Sequence, residues 1–65
     1  MSNDLIFAAR PAALEEAGIE LSDVEREQNA FHPDGSVEFA FFSDPDGSVL
    51  LGHIMVDPDG NARAL

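Results

Sequence analysis

Residues 36 to 56 read as two β-strands. Ser36 to Ser43 alternates, with Val37, Phe39 and Phe41 on one face and Glu38, Ala40 and Phe42 on the other. Ser48 to Val56 sets Val49, Leu51, His53 and Met55 against Leu50, Gly52, Ile54 and Val56. A period of two is the signature of a strand. Pro-Asp-Gly punctuates the chain three times, at 33–35, 45–47 and 58–60. Pro supplies a φ near −65° and the following Gly tolerates positive φ, which suits a type I turn with a G1 bulge closing a hairpin. Glu27 to His32 precedes the first turn and Asn61 to Leu65 follows the last. The pattern therefore predicts a four-stranded antiparallel meander.

The N-terminal half is less sharply patterned. Asp4 to Ala9 fits either an opening strand or a first helical turn. Pro11 to Ala17 predicts a helix with Pro at its first position, ended by Gly18 as a left-handed C-cap with Ile19 as its apolar clamp. Ser22-Asp23-Val24-Glu25 matches a capping box opening a second short turn. One helix from 11 to 28 would also place Leu14, Ala17, Leu21, Val24 and Gln28 on one face. An interior Gly costs a helix about 1 kcal/mol, which favours a break at Gly18. The expected fold is α+β: a single domain over 1–65, with an antiparallel meander of three to four strands and one or two short N-terminal helices packed on one face.

Composition narrows the class. A chain of 65 residues holds one core, and its 45% apolar content with five Phe is too high for a disordered acidic tail. Without cysteine, neither a disulfide framework nor a thiolate zinc site can add stability. The opening Met1-Ser2-Asn3-Asp4 lacks a basic leader region, and no apolar run reaches the ~20 residues of a membrane helix. These features predict a soluble, cytoplasmic monomer that contacts neither membrane nor nucleic acid directly.

Charge dominates the surface. Thirteen Asp and Glu face three Arg and no Lys, for a formal net charge of −10. Solubility alone asks for a magnitude of roughly 2–8 in a small domain. Such a field repels nucleic acid and attracts cationic surfaces. Adaptation to high salt is one cause of such acidity, and a function that needs the charge is the other.

The sequence offers little for catalysis or cofactors. His32 and His53 are the only histidines, and no patterned ligands accompany them, so no metal site is expected. The Asp-Pro-Asp-Gly turns resemble the start of a calcium loop, but Gly47 and Gly60 come one residue too early and turn chemistry explains them. A divalent-ion binder is accordingly the weakest of the binding readings. There is no Ser-His-Asp order, phosphate-cradling glycine loop or nucleophilic Cys or Lys, so no enzyme and no cofactor are expected.

The strongest candidate site is acidic. Glu15, Glu16, Glu20, Asp23, Glu25 and Glu27 place six carboxylates in thirteen residues beside the single Arg26. On a continuous helix Glu16, Glu20, Asp23 and Glu27 would line one stripe. In a meander the first and third turns share an end, which brings Asp34 near Asp57 and Asp59, while Asp44 and Asp46 occupy the other. These residues point to a basic protein surface as partner.

Taken with its length, its Glu-rich "LEEAGIELSDVERE" and its "PDGSVEFAFFSDPDGSVLL" hairpin, the chain resembles the small acidic anti-CRISPR proteins of phages and mobile elements, in particular inhibitors of the type I-C surveillance complex, Cascade. That resemblance covers the whole chain and rests on no shared motif, so it transfers no individual residue. It implies a nucleic-acid mimic that occupies the basic DNA channel of a CRISPR effector subunit and blocks target DNA binding. The alternative expectation is a salt-adapted acidic adaptor or interaction domain without mimicry.

Overall fold

The computed structural model describes residues 2–65. Helix α1 (Ser2–Ala17) leads through a single 3-10 turn (Leu21–Asp23) into strands β1 (Arg26–Phe31), β2 (Val37–Phe42), β3 (Leu50–Val56) and β4 (Ala62–Ala64). The strands lie in the order β1-β2-β3-β4, each antiparallel to the next. The fold is α+β: a meander with one helix on one face, as the strand and turn pattern predicts.

The hairpin turns form as their residues dictate. In the first, Gly35 N–H donates to the His32 carbonyl at 3.0 Å, and Gly35 takes a φ of 92° that a side chain would strain. His32 N–H then donates to the Ser36 carbonyl at 3.0 Å and closes the hairpin. The same donor and acceptor positions recur in the turn at 57–61.

The core lies between α1 and the inner face of the sheet. Val37, Phe39 and Phe41 of β2 pair across the ladder with Val56, Ile54 and Gly52 of β3. With Ala13 of α1, all of these except Gly52 are buried, and Phe39 and Phe41 stack with ring centroids 5.7 Å apart. Gly52 is small for a reason: a Cβ there would stand 2.9 Å from the Ala17 Cβ, so the glycine lets the end of the helix rest on the sheet.

Between Phe41 and Phe42 the register slips, pairing Phe41 with Gly52 but Phe42 with Leu50. Leu51 is the extra residue of a bulge. One added residue inverts every side chain beyond it. Leu51 accordingly packs against the core, while Leu50 shares the open face with Phe42 and His53. Strict alternation, which groups Val49 and Leu51 with His53 and Met55, is corrected here.

Helix α1 also departs from expectation, because it begins nine residues before Pro11 and runs through it. Asp4 to Ala9 is helical. Interior proline removes one backbone bond and crowds the carbonyl four residues earlier, here that of Phe7. Pro11 and Phe7 both face solvent, where water can satisfy that carbonyl. Ile6, Ala9, Ala13, Leu14 and Ala17 recur at helical spacing and pack against the sheet, so tertiary burial holds the turn before the proline in place.

At the other end Gly18 terminates α1 at φ 72°. Its N–H donates to the Glu15 carbonyl at 3.1 Å, and the Ile19 N–H donates to the Leu14 carbonyl at 3.2 Å, a Schellman cap. The chain breaks at Gly18, and a helix over 11–28 does not form. In the following turn the capping residues are Glu20 and Asp23, not Ser22 and Glu25. Glu20 N–H donates to Asp23 Oδ2 at 3.1 Å, while Asp23 N–H donates to the Glu20 carbonyl at 3.0 Å. No helix among the described residues is long and apolar enough to cross a membrane.

Candidate acidic interface

The carboxylates divide between the two ends of the sheet. At the end with two turns, a Cβ on Gly35 would lie 3.1 Å from the Pro58 ring, so the β1–β2 and β3–β4 turns touch. Asp34, Asp57 and Asp59 thus share one end, as meander geometry requires. Asp34 Oδ1 accepts from Ser36 N–H at 2.9 Å, and Asp57 Oδ1 accepts from the N–H groups of Asp59 and Asn61, both at 2.9 Å. These bonds build the turns. Asp34 is held below its ordinary carboxylate value chiefly by the Ser36 backbone and hydroxyl.

The opposite end is richer. Glu25 N–H donates to the Phe42 carbonyl at 2.8 Å and ties the linker to the edge of β2. Arg26 then reaches across Gly47 and donates to the Pro45 carbonyl at 3.1 Å. Glu15, Glu16, Glu20, Asp23 and Glu25 thus lie at the same end of the sheet as Asp44 and Asp46, and all but Asp44 are exposed. Asp44 accepts from Ser48 N–H, Ser48 Oγ and Val49 N–H at 2.7–3.1 Å. Those donors lower its pKa to about 2, the Ser48 side chain contributing most. The union of Asp44 and Asp46 with the Glu-rich segment is a product of the chain's return through β1. Its sequence signal is the strand count, which puts the start of β1 and the second turn at the same end.

Glu27 leaves this group. Arg10 Nε donates to its Oε1 at 2.9 Å and Arg10 Nη2 to its Oε2 at 3.1 Å, and Asn29 Nδ2 adds a bond to Oε2 at 2.9 Å. The side chain is only 15% exposed and lies on the helix side of the sheet. The regular stripe of Glu16, Glu20, Asp23 and Glu27 therefore does not exist. Those residues fall in helix, linker, 3-10 turn and strand, and Glu27 is an internal ion-pair partner.

A third cluster lies on the open face of the sheet. His32 Nε2 approaches Glu38 Oε1 at 2.9 Å, and His53 Nε2 makes a close bond to Glu38 Oε2. These bonds, with that from His53 dominant, hold Glu38 below the ordinary glutamate range. Sequence reasoning treated the histidines singly. Their convergence needs the β2–β3 register, in which His53 neighbours Ala40, the residue two beyond Glu38. No group of three or more His, Asp or Glu among the described residues is arranged to hold a metal ion. The same face carries a shallow open trough of about 380 Å³ lined by Gln28, Ala30, Ala40, Phe42 and Leu50.

The helix side completes the picture. Glu15 and Glu16 stand in the last turn of α1, which has no basic residue. Anions there oppose the helix dipole, at about 0.3–1 kcal/mol each. Between the two acidic ends the outward positions Leu5, Phe7, Ala8 and Pro11 are apolar and exposed, Phe7 to 67%. Comparison with protein-family models, curated proteins and solved structures gives no match for this chain.

Proposed function

We propose that this chain is an anti-CRISPR inhibitor that binds a basic DNA-binding surface of a CRISPR effector complex and blocks target DNA binding, in the host cytoplasm and as a monomer. The observation that carries this reading is the end of the molecule where Glu15, Glu16, Glu20, Asp23, Glu25 and Asp46 stand exposed with Arg26 as the neighbouring cation. Folding alone does not account for that crowd, because two of its members oppose the helix dipole and like charges repel. A DNA channel lined by Lys and Arg exchanges its counterions for any suitably spaced polyanion. Asp34, Asp57 and Asp59 supply a second anionic group on a body 29 Å in its longest dimension. The inhibitor acts by occupying a surface and needs no chemistry or cofactor of its own. Resemblance to type I-C inhibitors supplies the choice of effector.

The decisive variant reverses Glu16, Glu20 and Asp23 to Lys. It is expected to melt cooperatively yet to lose inhibition of target DNA binding by a type I-C effector complex, and wild-type inhibition is expected to fall steeply with added salt. Undiminished inhibition by the triple variant would rule out charge mimicry.

A second reading has its own support, since Asp34, Asp44 and Asp57 build turns and Glu27 pairs internally. Acidity of that kind suits a salt-adapted interaction domain. Such a domain requires molar salt to fold, whereas the inhibitor folds in dilute buffer.

A further inference from the structure

We propose that the apolar slot between α1 and the two touching turns takes an anchor side chain from the basic partner, making it the central contact of the interface. This inference rests on the charge-recognition reading above and adds what the partner must present: one aliphatic side chain flanked by Arg or Lys.

The slot has a volume of about 160 Å³ and is lined chiefly by Leu5, Ala8, Ala12, Val37, Val56 and Pro58. Small residues on the helix make it. Ala8 and Ala12 stand one turn apart and leave room that longer side chains would fill. Gly35 and Gly60 border it from the turns and leave the backbone approachable.

Its surroundings define the occupant. Asp57 borders the slot, and Asp34 and Asp59 flank it in the same two turns. On the helix side it continues into the exposed stripe of Leu5, Phe7, Ala8 and Pro11, with Glu15 and Glu16 at the far end. An apolar centre inside a charged rim is the anatomy of a protein-binding surface, in which a few anchored side chains carry most of the affinity. Because the rim is anionic, the segment that brings the anchor is cationic. The open face of the sheet is less suited to such a partner. Arg63 belongs to it through its pairing with Met55 beside Glu38.

The test uses an arginine-rich peptide with one central leucine, and the same peptide with serine in its place, titrated into the isotope-labelled protein at low salt. The leucine peptide is expected to bind about tenfold tighter, equivalent to about 1.4 kcal/mol for a largely buried side chain. Its binding should shift the amide signals of Ala8, Ala12, Gly35 and Gly60. Ala8→Phe fills the slot from an exposed helical position and should abolish the preference while the serine peptide binds as before. Should Ala8→Phe fail to fold, Leu5→Ser removes one wall and should reduce the preference in the same way. Equal affinity for the two peptides, or a leucine preference that survives both variants, overturns the slot and leaves charge recognition standing. Failure of both peptides to bind at low salt overturns charge recognition, and the slot with it.

Discussion

Arg10 and Glu27, seventeen positions apart, are joined by two parallel hydrogen bonds that fasten the middle of α1 to edge strand β1. The guanidinium also lies 5.2 Å from the centre of the Phe7 ring. This fork sets the position of the helix over the edge strand. Arg10→Met leaves a mostly buried carboxylate without its partner and is expected to cost about 1–3 kcal/mol. That lowers the melting temperature by about 5–20 °C in a domain of this size. Adding Glu27→Leu should recover much of the loss, and a double-mutant cycle by thermal melting measures the coupling. The proposed inhibition should survive in the double variant, because neither residue belongs to the exposed acidic surface.

Gly52 lets Ala17, at the end of the helix, rest close on the sheet. Gly52→Ala brings two methyl groups within 2.9 Å and must push the end of α1 outward, at roughly 1–3 kcal/mol. Ala17→Gly in the same chain should restore part of that stability, less the helix penalty of about 1 kcal/mol for glycine. Urea denaturation of the single and double variants checks both. A Gly52→Ala domain as stable as wild type contradicts the close approach.

Gly18 differs in kind, since no atom lies within 4 Å of the position its Cβ would occupy. Only the backbone objects to a side chain there. Gly18→Ala should destabilise by about 1 kcal/mol through its φ of 72° alone, and Gly18→Asn by less. A crystal structure of the Ala variant should show α1 unmoved.

Acid should act on two carboxylates. Asp44 is depressed from an ordinary 3.8 to about 2, so it binds its proton less readily when folded. Its contribution to stability is complete above pH 3.8 and disappears as pH falls towards about 2. Glu38 is likewise lowered from 4.5, so its contribution is complete above that pH and lost below it, through its folded value. Asp44→Asn and Glu38→Gln should each be less stable than wild type at neutral pH. Each deficit should close as acid protonates the wild-type group, and for Asp44 the closure should be centred between pH 3.8 and 2. Chemical denaturation across this range reads the differences, and a deficit independent of pH contradicts the assignment.

Local chemistry alone determined a good deal of this protein. Alternation marked β2 and β3, Pro-Asp-Gly marked the turns, and Gly18 marked the end of the helix, because each of these depends on residues a few positions apart. Net charge needed no structure either. Tertiary packing decided the rest. Burial of Ile6 and Ala9 carries α1 through Pro11 against its propensity, and the bulge at Leu51 chooses which face Leu50 and His53 share. Glu27 is withdrawn from the acidic surface by an arginine seventeen positions away, while Asp46 joins that surface through the path of β1. A carboxylate's identity is written in one residue, but whether it is paired or presented depends on partners that only the folded chain brings within reach.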